Sequence, residues 1–270
     1  MILLKNYSNY FIFSIFLLFL IFKTYAANNK YREQTNIFYK TSNLNKEDIV
    51  EQIDKKFLKS AERQSHLSSN IKANIYVIAD VSTNVPSNIY ADIFTNFLMG
   101  FFNNFKINPS YVNVAFTMSP GDNNMWLYLP SFNSFYGNTS LRDYIHSSYY
   151  PLDGSQSSGQ GQLKDMLKMA LNNQFLKTGY NDSYKPHIIF YLTTTSSPDL
   201  DAIYQSNIIR NSNKFKIISI GYQTKDNVNA LQSMSNCFYR ANTENDLSAL
   251  SSALANLVTD ASNSGTELQC

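Results

Sequence analysis

Apolar residues fall along this chain in two kinds of block. Short, nearly unbroken runs alternate with longer stretches in which apolar positions recur every three or four residues. The runs at 75–79 (Ile-Tyr-Val-Ile-Ala), 112–116, 125–129, 187–192, 215–221 and 237–240 predict strands. Those at 75–79 and 187–192 are apolar on both faces, as strands buried in a parallel sheet are. Ser87 to Phe105, with Ile89, Ile93, Phe94, Phe97, Leu98 and Phe101 on one stripe, predicts a long helix. Helices are also predicted at 139–147, 162–171, 200–210, 227–234 and 246–258. Strands and helices alternate almost throughout. The expected fold class is therefore α/β, a doubly wound, mostly parallel central sheet flanked by helices on both faces. The short link between the runs at 112–116 and 125–129 predicts one antiparallel edge strand.

Before residue 71 the pattern differs. Lys5 precedes an apolar run, Phe11 to Phe22, and Thr24 and Ala26 follow it as small residues at the −3 and −1 positions of a cleavage site. The run is shorter than the ~20 residues of a membrane span, so residues 1–26 are expected to be a signal peptide, with an uncleaved anchor as the alternative. Residues 27–45 are polar and unpatterned. Residues 46–65 predict a helix capped by Asn45, with Ile49, Ile53, Phe57 and Leu58 at helical spacing. The expected organisation is a signal peptide (1–26), an extension with one helix (27–70), one α/β domain (71–260) and a tail carrying Cys270 (261–270). The expected location is secreted, extracellular.

Charge excludes more than it suggests. The chain has 22 basic and 20 acidic residues, and loss of Lys5 and Lys23 with the signal leaves 20 against 20. Neither a nucleic-acid footprint nor a polybasic membrane patch is present. Cys237 and Cys270 are the only cysteines. In an oxidising compartment they are expected to form a bridge, with an intermolecular bridge or two separate thiols as alternatives. Asn138-Thr139-Ser140 and Asn181-Asp182-Ser183 are sequons for N-glycosylation.

Ligands of open α/β sheets bind at the carboxyl ends of the strands. Three polar segments are predicted there: Asp80-Val81-Ser82-Thr83-Asn84, the Ser/Gly/Gln loop at 154–161, and Thr193-Thr194-Thr195. They offer hard oxygen donors only, which suit a cation such as Mg²⁺. A strand ending in Asp80-x-Ser82 and running into a long amphipathic helix resembles the opening of a von Willebrand factor A domain. The Ile217-Ile218-Ser219-Ile220-Gly221 run is similar to a later strand of that family. The resemblance covers about residues 73–258 and is similar to single-domain secreted members from roundworms, which also pair a late cysteine with a C-terminal one. It implies a metal-ion-dependent adhesion site at Asp80, Ser82, Asn84, Ser157 and Thr194. Asn84 stands where the family has a second Ser, Ser157 where it has Thr, and Thr194 where it has a second Asp. The resemblance thus implies Mg²⁺ or Mn²⁺ held weakly or not at all, with Asp153 and Asp199 as flanking carboxylates. Tyr149, Tyr150 and Phe135, in flanking loops, are the candidate partner contacts.

The enzyme classes considered fail on their motifs. Gly161 is followed by Gln162, so no phosphate-binding loop forms, and there is no Gly-x-Ser-x-Gly elbow. The three histidines, His66, His146 and His187, have no visible catalytic partner. The expected function is a non-enzymatic extracellular adhesion or ligand-binding module with a protein or matrix partner. A structural matrix or assembly subunit without metal-dependent binding is the alternative.

Overall fold

A computed structural model describes residues 71–122, 129–148, 156–225 and 227–269. By its contacts the chain divides into Met1–Asn45 and Lys46–Cys270, and all described residues lie in the second unit. The expected signal peptide and helix 46–65 lie outside the described residues.

Five strands form one sheet: β1 (Ala73–Asp80), β2 (Val112–Ser119), β3 (His187–Thr193), β4 (Lys216–Tyr222) and β5 (Cys237–Ala241). Their order is β2-β1-β3-β4-β5, and every pairing is parallel. The expected antiparallel edge strand is therefore not supported: the described sheet is all parallel, and residues 123–128, most of that run, lie outside the described residues. The chain returns along the outer edge of β2, where Phe116 N donates to Pro130 O at 3.0 Å.

Alternation along β1 separates two cores, because successive side chains of a strand point to opposite faces. Ile75, Val77 and Ala79 pack into one cluster with Phe94, Phe97, Phe101 and Leu254. Tyr76 and Ile78 pack into the other with Leu163, Leu167, Ala202 and Leu231. Helices cover both faces: α1 (Thr95–Phe102), α2 (Asn138–Ser147), α3 (Leu163–Met169), α4 (Asn173–Leu176), α5 (Leu200–Ser212), α6 (Asn229–Met234) and α7 (Glu244–Ser264). The predicted helix from Ser87 begins as a π-helical turn, Ile89–Phe94, before it becomes α1. Thr95 Oγ1 donates to Tyr90 O at 3.0 Å, five residues back, and so fastens that wider turn.

Helix α7 starts earlier and ends later than its apolar period predicts. Thr243 caps it reciprocally with Asp246, and Gly265 closes it in the left-handed region at φ 63°. Beyond it the tail is packed: Leu268 is 3% exposed in the α7 core, and Glu267 accepts from Lys185 Nζ at 2.5 Å and His187 N at 2.9 Å. Among the described residues no helix is long and apolar enough to cross a membrane.

Candidate functional site

The chain leaves β1 toward one side of the sheet and β3 toward the other, so the loops above Asp80 and Thr193 diverge and leave a crevice. Asp80 ends β1 and is fully buried. Its Oδ1 accepts from Ser82 N at 2.9 Å. Its Oδ2 accepts from Gln160 Nε2 at 2.6 Å and from Thr193 Oγ1 at 2.7 Å. Gln160 is held in turn by the Tyr191 hydroxyl, which donates to Oε1 at 2.5 Å. Thr193 Oγ1 also accepts from Thr195 N at 2.8 Å. Burial raises the Asp80 pKa, and the hydrogen bonds from Thr193, Ser82 and Gln160 oppose that rise. Among the described residues none of the groups acting on it is a cation.

The five residues expected at the metal site are brought to this edge. Ser82 is 1% exposed, and its Oγ is buried without a well-formed hydrogen bond. Thr194 Oγ1 donates to the Asn84 carbonyl at 3.0 Å, which ties the β1 and β3 loops together. The Ser157 carbonyl accepts from Thr83 N at 3.0 Å, and Ser157 N donates to Pro120 O at 3.0 Å. The Ser157 loop thereby bridges the ends of β1 and β2. Glycine is needed twice in that bridge. Gly121 has φ +94°, and a Cβ there would lie 2.1 Å from Ser157 O; Gly159 has φ +88°, and a Cβ there would lie 2.1 Å from Asp122 Oδ2. Asp122 Oδ1 accepts from Gly161 N at 2.7 Å and secures the same loop.

The remaining expected residues lie elsewhere. Phe135 is 5% exposed and packs on Tyr144 of α2 with ring centroids 5.5 Å apart. Its ring is core material, not a contact surface, because α2 folds over it. Tyr149, Tyr150 and Asp153 lie outside the described residues. Asp199 precedes α5 and is exposed, and its side chain makes no cap bond. Asn138 opens α2; its Nδ2 donates to Phe102 O at 3.1 Å. Asn181 lies at the opposite end of the sheet, where its Oδ1 accepts from Ser183 N at 3.0 Å and Ser183 Oγ at 2.7 Å. Cys237 begins β5 and is 5% exposed; Cys270 lies outside the described residues.

Tyr191 and Asp122 were not anticipated, and Gln160 and Thr193 were expected only as members of the polar segments at the strand ends. Tyr191 sits inside an apolar run and reads as core. Gln160 is one of several polar residues in a small-residue loop, and only the fold shows which of them faces Asp80.

Residues 74–259 match the family model for the von Willebrand factor type A domain. The chain belongs to that family. No curated protein matches the chain. Among solved structures it is similar to proximal thread matrix protein 1 of the mussel byssus, at 15% identity and TM-score 0.53, over 70% of this chain and 47% of that one. A form of the same mussel protein with a zinc-occupied MIDAS motif matches at 15% identity and TM-score 0.55, over 71% and 46%. The chain thus spans about half the length of those mussel structures. The manganese-loaded TRAP protein of Plasmodium vivax matches at 14% identity and TM-score 0.45, over 67% and 73%.

The von Willebrand factor A fold commonly holds Mg²⁺ or Mn²⁺ at the edge just described. The Ser82 hydroxyl, which lacks a well-formed hydrogen bond, is an oxygen such an ion could use. The rest of the donor set does not fit one. Asp80 already accepts three hydrogen bonds from the chain, Thr194 brings no charge, and the Asp122 carboxylate nearby is engaged by Gly161 N. Among the described residues no three His, Cys, Asp or Glu side chains come together as a metal group.

Proposed function

We propose that this chain is a secreted, non-enzymatic adhesion or matrix-binding module whose partner docks on the loops above β1 and β3. The observation that carries this reading is the buried Ser82 hydroxyl beside Asp80, which acts on that carboxylate without a well-formed hydrogen bond, at the point of the sheet where open α/β folds place their ligands. A buried hydroxyl short of a well-formed bond costs stability, and a ligand that completes the bond recovers part of that cost. Asn84, which is exposed, and Thr194, which is half-buried, form the accessible rim.

The secretory features belong to the same proposal. A bridge from Cys237 to Cys270 is supported by Leu268, two residues before Cys270, which lies in the same apolar cluster as Cys237. Glycans at Asn138 and Asn181 would lie at an α2 terminus and at the base of the sheet, away from the binding edge. A structural matrix subunit is the second reading, favoured by the uncharged Thr194 at the edge.

The test is to express the full chain in a secreting cell and measure binding of the recovered protein to an extracellular-matrix preparation. Ser82→Ala and Asn84→Ala should each weaken binding by about tenfold, the effect of ~1.4 kcal/mol. Equal binding by wild type and both variants would favour the structural role. Retention of the chain in cells would overturn secretion.

A further inference from the structure

Asp80, Gln160, Tyr191 and Thr193 are each at most 3% exposed and form one closed hydrogen-bonded group. They come from β1, the loop before α3 and β3, the three parts of the chain that define the crevice. The Tyr191 hydroxyl donates to Gln160 Oε1 at 2.5 Å, and that bond polarises the amide and strengthens it as a donor to Asp80. Thr193 directs a second donor to the same carboxylate oxygen, and Ser82 N occupies the other. A cation, or a water bound to one, would have to displace donors that the chain itself has fixed in place. Thr194, at the position where the family has an acid, has turned its hydroxyl to the Asn84 carbonyl. Thr194 therefore brings no charge to the rim above Asp80.

We propose that the Gln160–Tyr191–Thr193 group is the built-in counter-group of Asp80, replacing a divalent metal, so that this edge is held in its binding geometry without any ion. The consequence for recognition is chemical. Where a metal is present it attracts an acidic group on the partner; without one the described edge offers no such positive charge, and it suits a neutral amide, hydroxyl or basic group. This consequence for the partner rests on the adhesion reading above. The metal-free edge does not, since metal titration reads it whether or not a partner is known.

The experiment is thermal unfolding of the purified full chain in EDTA and in millimolar Mg²⁺, Mn²⁺ or Zn²⁺, with isothermal titration of the same ions. The wild-type Tm should be the same in all conditions to within about 1 °C, whereas a site filled to a hundred times its Kd would raise it by several degrees. In EDTA, Gln160→Ala and the conservative Tyr191→Phe should each lower Tm by about 3 °C or more. A saturable metal-induced rise that Ser82→Ala abolishes would overturn the proposal. So would an unchanged Tm in both Gln160→Ala and Tyr191→Phe.

Discussion

At the scale of single residues, Asp80 controls the edge. Asp80→Ala strands the Gln160 amide, the Thr193 hydroxyl and the Ser82 N–H in a dry site, and unmade bonds of this kind cost about 1–3 kcal/mol each. The expected loss in urea-unfolding free energy is ~3 kcal/mol. Asp80→Asn should cost clearly less: the Gln160 amide can reverse, offering Oε1 to the new Nδ2 and its own N–H to Tyr191, while the Thr193 hydroxyl rotates to accept. If both variants were equally damaged, the network would not have the freedom assigned to it. His187 behaves differently. Its Nδ1 lies 2.8 Å from Asn74 Nδ2, and that amide cannot reverse, because Asn74 Oδ1 already accepts from Asn113 Nδ2 and Asn181 N. Nδ1 is therefore an acceptor, and His187 is neutral.

At the scale of elements, the loop before α3 is the strained piece. Gly159→Ala combines a left-handed φ of +88° with a Cβ driven against the Asp122 carboxylate. It should cost roughly 2 kcal/mol or more. Asp122→Ala should relieve part of that cost, so the double variant will be less destabilised than the sum of the singles in a mutant cycle. Helix α7 is fixed by its termini as much as by its apolar face. Thr243→Ala removes the capping box and should lower stability by about 1 kcal/mol. Full stability of that variant would place the start of the helix elsewhere.

At the scale of the whole molecule, burial pushes the His187 pKa down to about 4 from an ordinary 6.5. The unfolded chain then takes up a proton near pH 6.5, and the folded one only near pH 4. Above pH 6.5 His187 is neutral in both states and its contribution is intact; as pH falls from 6.5 to 4 the unfolded state gains, and stability declines by at most ~3 kcal/mol. Asp80 has the opposite sign, because its raised pKa lets the folded state take up a proton first as pH falls. Unfolding curves between pH 4 and 7 should show the decline in wild type and a smaller one in His187→Gln. Because Asp80 is common to both chains, identical profiles for wild type and His187→Gln would contradict the buried neutral histidine.

Strand and helix order were legible in the sequence because each is a local periodicity. The run 75–79 had to be a strand buried on both faces, and Asp80-x-Ser82 at its end placed the candidate edge. The limits of the elements were less legible. The π-helical turn at 89–94 and the true start of α7 depend on particular side-chain-to-backbone bonds, from Thr95 Oγ1 to Tyr90 O and from Asp246 N to Thr243 Oγ1, that apolar spacing does not encode. Phe135 shows the same limit, since a ring between predicted elements gives no sign of the helix that will cover it. What the sequence determined by itself was that the segments of Asp80, Ser82 and Asn84, of Ser157 and of Thr194 meet at one edge of the sheet. Only the tertiary structure decided how Asp80 is satisfied. Gln160 lies 80 positions away along the chain and Thr193 113, and hydrogen bonds across such separations follow from the parallel packing of β1 beside β3, not from any pattern within one segment.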